Sequence, residues 1–219
     1  LFSKSGKLFA QAAHIPVHLG SMAFAMQSIV ENRQWSSGDM LVLNDPYLGG
    51  THLPDVTLIT PVFVEQGKGL IGFVANRAHH ANIGCDTPGS MPISSSLEEE
   101  GLIIPPTLLF KAGQLQQDAL SLLEIRGDSL NGDFAAQAGA NKLGMQRLQE
   151  LLTTMSTEDY EQGMDELNDY ADRITANTIA GLQVGEYSFT DYLDDDGCGQ
   201  SNIQLALTLR IRPHHLEMD

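Results

Sequence analysis

Two apolar runs, DVTLITPVFVE (55–65) and GLIGFVANRAHH (69–80), are separated by only Gln66-Gly67-Lys68. Runs rich in Val, Ile, Thr and Phe read as strands, and so short a connection pairs them as an antiparallel hairpin. A hairpin alone is marginal in water, so further strands or a helix must cover it. The rest of the chain is read around this pair.

Upstream, LFS and KLFAQ give two short β-like runs joined at Ser5-Gly6. Met22, Met26, Ile29 and Val30 recur at helical spacing between Gly20 and Gln34, with Ser21 placed to cap. Met40–Leu43 is a compact strand that runs into Asn44-Asp45. Residues 82–106, rich in Gly, Pro and Ser, form a long aperiodic stretch directly after the His pair, a placement that points to function.

The second half changes character. An amphipathic helix over 133–155 carries Met145, Leu148, Leu152 and Met155 on one stripe. Ser156 to Asp159 resembles a capping box opening a second helix, which turns Tyr160, Met164, Leu167 and Ile174 inward and stops at Gly181. The short connection predicts an antiparallel helix hairpin. Strands GEYSFTDYL and NIQLALTLRI follow around the acidic turn DDDGCGQ, and the tail RPHHLEMD leaves the pattern. The fold class is therefore α+β, with a β-rich, mixed or antiparallel N-terminal part, a helix hairpin and further strands. Residues 1–130 are expected to form the β-rich portion with the site, and 131–219 the helix hairpin plus two strands of the same larger domain.

Charge narrows the function. Twelve Lys plus Arg against 28 Asp plus Glu give a net −16, which repels a phosphate backbone and disfavours nucleic acid. No apolar run reaches membrane-spanning length. Two distant cysteines, Cys85 and Cys198, make a reducing cytoplasm the default. With no initiating Met and an apparent strand at Leu1, the chain reads as a piece of a longer protein.

Five of seven histidines, His14, His18, His52, His79 and His80, fall in the first 80 residues. Asp45 and Asp55 sit at strand ends in the same region. If those strands are neighbours, Asp45, His52, Asp55 and His79 or His80 can converge. Mixed imidazole and carboxylate donors suit manganese, zinc or ferrous iron, whose open positions polarise a carbonyl or a water. Gly49-Gly50 could let backbone amides approach an anion, although a tight turn needing glycine explains the pair as well. Glu98-Glu99-Glu100 reads as a solvated run, with a catalytic base there a minority reading.

The segments HIPVHLGSM (14–22), NDPYLGGTHLPDVTLITPVF (44–63), ANRAHHANIG (75–84), PGSMP (88–92), EEGLIIPP (99–106), GDFAAQAGAN (132–141) and EYSFTDYLDDDG (186–197) resemble the hydantoinase B family. That family takes in the B-type component of N-methylhydantoinase, the matching half of 5-oxoprolinase, and alpha-type subunits of ketone carboxylases. The resemblance implies the B-type part of an ATP-dependent hydrolase that opens a cyclic amide such as 5-oxoproline or a hydantoin. A hydantoinase A-type subunit or fused domain would consume the ATP, so a hetero-oligomer is expected. The alternatives are a ketone carboxylase subunit and a non-catalytic paralogue that only binds a partner.

The resemblance assigns metal to His52, Asp55 and His79, with Asp45 as fourth donor. Asp45, His80 and His18 become candidate catalytic groups, and Gly49, Gly50, Asn82 and Glu100 candidate substrate contacts. Two departures stand out: HANIGC where the family pattern is HADIGG, putting Asn82 and Cys85 in place of Asp and Gly, and a shortened segment that leaves only Arg126.

Overall fold

The computed structural model describes residues 1–12, 18–64, 69–125, 130 and 132–219. His14, the 66–68 loop and Arg126 lie outside the described residues. The chain divides into two compact units, 1–164 and 165–219. The division expected at 130/131 does not coincide with this boundary, because the helix that follows it packs on the first unit's sheet.

The first unit is built on a six-stranded sheet. Its strands are β1 (Phe2–Ser3), β2 (Met40–Leu43), β3 (Asp55–Val64), β4 (Gly69–His79), β5 (Thr107–Lys111) and β6 (Gln114–Leu115). They are ordered β1-β4-β3-β2-β5-β6, and every neighbouring pair is antiparallel. β3 and β4 form the predicted hairpin. Asp55 pairs with His79 and Thr57 with Arg77, and the register shifts once, between Val62 and Phe63.

Strand pleating divides the core in two. Leu41, Leu43, Ile59 and Phe73 pack with Met26, Ile29 and Val30 of α1 (Leu19–Glu31). Met40, Val42, Val56 and Leu58 pack with Phe134 and Ala138 of α3 (Gly132–Leu151). The sheet is thus covered by α1 on one face and α3 on the other. Which way each β3 or β4 side chain points decides which helix it meets.

The helical stripe on α3 is realised at Leu148, buried with Val62 and Val74, and at the flanking Met145 and Leu152. Met155 is exposed. Ser156 caps α4 (Thr157–Ala180) as its box predicts: Oγ accepts from Asp159 N at 3.0 Å and donates to Asp159 Oδ2 at 2.7 Å. Tyr160 and Met164 are buried, but Leu167 and Ile174 are exposed, because only the first turns of α4 reach the core. Ser21 is not the cap of α1. His18 holds that position, and Ser21 Oγ instead accepts from Arg77 Nη1 at 2.8 Å. The sequence reading also passed over β5, β6 and the short α2 (Gln117–Leu122), which follow the long loop.

In the second unit, β7 (Gly185–Asp195), β8 (Ser201–Arg212) and β9 (His215–Met218) form an antiparallel sheet. The tail is therefore a third strand and not a departure from the pattern. His214, at φ 60°, makes the turn that folds it back.

Candidate functional site

The α1 face of the hairpin carries the site. In a strand, residues two apart share a face, so Asp55, Thr57, Arg77 and His79 line one side. His79 Nδ1 lies 3.1 Å from Asp55 Oδ1. The loop before β3 brings His52 Nδ1 to 3.9 Å from Asp55 Oδ2, and the start of α1 brings His18 Nε2 to 4.0 Å from the same oxygen. The buried Asp55 carboxylate is ringed by three imidazoles. One ligand atom each from His52, Asp55 and His79 falls within 4.8 Å of the others, the separation at which three donors can share one ion.

Hydrogen bonding assigns the tautomer of His79. Its Nε2 is 2.9 Å from the carbonyl oxygen of Gly89, which can only accept, so Nε2 carries the proton. In the neutral ring Nδ1 then presents a lone pair to a carboxylate oxygen that presents another. Two acceptors at 3.1 Å require a shared cation, either a proton or a metal ion. A backbone carbonyl on the far nitrogen is also the arrangement that orients a metal-binding histidine. His18 adds a second unsatisfied group: its Nδ1 is buried with no hydrogen-bond partner among the described residues. The donor set fits a divalent transition ion.

Arg77, which the sequence reading did not single out, completes the electrostatics. Its guanidinium donates to Thr57 Oγ1 at 2.7 Å, Ser21 Oγ at 2.8 Å and the Gly49 carbonyl at 2.8 Å. Burial pushes its pKa down and the nearby Asp55 carboxylate pushes it up. A fixed cation behind the carboxylate lowers the cost of burying that negative charge. The signal was available, since Arg77 stands two residues before His79 on a strand already recognised.

The other candidates separate. His80 follows His79, so the pleat turns it to the opposite face, where it is buried against Phe134 and bonded to Gln137 Oε1 at 2.7 Å. Burial lowers its pKa. Asn82 lies on that side too, in a cleft of about 500 Å³ lined with His80, Asp133 and Phe134. Its Oδ1 accepts from Gly84 N at 2.8 Å. Asp45 caps a 3-10 turn at Pro46–Leu48, accepting from Tyr47 N at 2.9 Å, so its carboxylate serves its own loop. Glu100 accepts from Ser94 Oγ at 3.3 Å.

Gly49 and Gly50 are set by packing. Gly49 is left-handed at φ 104°, and a Cβ there would meet Ala25 Cβ at 2.2 Å. One on Gly50 would lie 1.9 Å from the Asn44 carbonyl oxygen. Asn44 is fully buried and ties the loop down: its amide donates to Leu53 O at 2.7 Å and Leu102 O at 2.8 Å, and accepts from Ile104 N at 2.6 Å.

A six-stranded antiparallel sheet between two helices, with a carboxylate and imidazoles at one end of its central hairpin, defines a class of candidate metal-dependent proteins. The chain belongs to the Hydantoinase B/oxoprolinase family, whose profile matches residues 1–219. It is 36% identical over 229 residues to the 5-oxoprolinase of Dictyostelium discoideum, covering 95% of this chain and 17% of that protein. It is 32% identical over 218 residues to the caprolactamase beta subunit of Pseudomonas jessenii, covering 97% of this chain and 37% of that protein. The crystal structure of ATP-dependent caprolactamase from Pseudomonas jessenii superposes with a TM-score of 0.88 at 30% identity, covering 99% of this chain and 38% of that one. The chain thus spans well under half the length of these relatives. Among the described residues, no helix is long and apolar enough to cross a membrane.

Proposed function

We propose that this chain is the B-type part of an ATP-dependent hydrolase that opens a cyclic amide such as 5-oxoproline, a hydantoin or a lactam. The observation that carries this reading is the Asp55 carboxylate ringed by His18, His52 and His79, on the central hairpin of a fold shared with caprolactamase. His52, Asp55 and His79 would hold a divalent manganese, zinc or iron ion, with His18 as fourth donor in place of Asp45. Such an ion, when bound, polarises a carbonyl or a water.

The protein groups divide the remaining work. Asp55 supplies the negative charge, and Arg77 holds it in the buried position. Gly89 O keeps the His79 proton on Nε2 and leaves Nδ1 as a donor. His52 and His79 are partly exposed while Asp55 is buried, so substrate approaches from the imidazole side.

A cyclic amide is resonance-stabilised and a poor electrophile, so ATP is needed to activate it. Relatives named as the beta component of a caprolactamase and the B component of a hydantoinase support ATP use at an A-type partner or fused domain, in a cytoplasmic hetero-oligomer. Co-production with an A-type partner should give ATP-dependent ring opening of 5-oxoproline, hydantoin or caprolactam. Asp55→Asn should abolish that turnover and lose the metal while the assembly persists. Undiminished turnover in this variant would overturn the reading.

A further inference from the structure

Gln137 is a buried amide on α3, on the side of the sheet away from the imidazoles. Its Nε2 donates to Val56 O at 2.9 Å and Asn76 Oδ1 at 2.8 Å, and its Oε1 accepts from His80 Nε2 at 2.7 Å. Asn76 Nδ2 returns a bond to the Gln137 carbonyl at 3.0 Å. Because Val56 O can only accept, the NH2 end must face it, so Oε1 faces His80 and His80 carries its proton on Nε2.

The three partners have a common property. Val56 follows Asp55, Asn76 precedes Arg77, and His80 follows His79. One side chain therefore grips both strands at the residues adjoining the three that carry the site on the other face.

We infer that Gln137 is a positioning residue for the Asp55–His79 pair, fixing from behind the sheet the separation and orientation of two donors. The inference rests on the metal reading above. Sites of this kind need their groups held within about 0.5 Å, a tolerance that side chains locked by supporting hydrogen bonds can meet. The competing explanation is that Gln137 only attaches α3 to the sheet. The molecule supplies its own control: Asn141, one turn later and fully buried, donates to Leu58 O and Thr60 Oγ1, both at 3.1 Å. It attaches the same helix to the same strand behind apolar Ile59, where no donor sits.

Co2+ titration of the protein, followed by its d–d absorption band, separates the two. Gln137→Met should raise the Co2+ Kd about 10-fold, within the 10- to 100-fold range typical of outer-shell changes, and alter the band. Asn141→Leu should lower the melting temperature yet leave Kd and band as in the parent protein. Gln137→Glu keeps the acceptor for His80 and loses both donors, so it should fall between, and it decides the matter if Gln137→Met does not fold. Unchanged Kd in the Gln137 variants, or an equal change in Asn141→Leu, overturns the inference. Absence of Co2+ binding by the parent protein would overturn the metal reading, and this inference with it.

Discussion

Asp55 and His79 are direct cross-strand partners, and the nitrogen of one faces an oxygen of the other at 3.1 Å with no proton that the neutral groups could share. The geometry calls for a cation at that point. Asp55→Asn preserves shape and removes the charge, so affinity for Mn2+ or Zn2+ should fall more than about 100-fold, beyond the range typical of outer-shell changes. Calorimetric titration of both proteins checks this, and retained affinity would remove Asp55 from the site.

Asn82 tests the separation of the two faces. It lines the α3-side cleft with His80 rather than joining the imidazole cluster. Asn82→Asp should leave metal affinity within about twofold, whereas His52→Ala should lower it at least 10-fold. A gain in affinity for Asn82→Asp would show that the cleft and the cluster are one site.

Two glycines should respond in opposite directions to a methyl group. At Gly50 the added carbon meets the Asn44 backbone at 1.9 Å, and Gly50→Ala should cost about 3 kcal/mol or more. At Gly20, in the first turn of α1, no heavy atom lies within 4 Å, and Gly20→Ala should gain about 0.5 kcal/mol. Denaturant melts of both variants measure the contrast, and equal stabilities would contradict the loop packing described.

The helical stripe makes a graded expectation. Leu148 is buried beside Val62 and Val74, so Leu148→Ala should cost about 2–5 kcal/mol. Leu167 is 53% exposed, and Leu167→Ala should change stability by less than about 0.5 kcal/mol. A large loss at Leu167, seen in a thermal melt, would mean that its apolar surface is covered in solution.

Tyr160 gives a pH test away from the site. Burial pushes its phenol up to about 12, and its hydroxyl is buried without a hydrogen-bond partner among the described residues. The unfolded phenol ionises near 10. Stability from holding it neutral is fully present below pH 10 and is lost as pH climbs from about 10 towards 12. Tyr160→Phe should abolish that slope, and near neutrality should gain about 1 kcal/mol by removing an unsatisfied hydroxyl. Urea melts at pH 8 and pH 11 check both, and an unchanged slope would assign it to another group.

The hairpin, the capping box at Ser156 and the convergence of His52, Asp55 and His79 were legible because each depends on local pattern or on one strand pairing. What escaped was decided by pairing across distance. Asp45 looked equivalent to Asp55, yet the two differ in whether the carboxylate meets its own loop or a neighbouring strand. His79 and His80 could not be told apart until the register was known. Arg77 was passed over because a single cation on a strand carries no motif, and Gln137 because its partners lie 57 to 81 residues away along the chain. Leu167 and Ile174 continued an apolar spacing beyond the point where α4 leaves the core.

The register shift between Val62 and Phe63 also divides the hairpin by its tolerance of length change. Between that bulge and the His79 end, adding or deleting one residue in either strand would exchange faces, presenting His80 to Asp55 and turning His79 towards α3. On the far side of the bulge the same edit displaces no site residue. Natural variation in length, and any engineered tag or insertion, belongs at the loop end of the hairpin, while the eight paired positions from Asp55 to Val62 behave as a block that changes by substitution only.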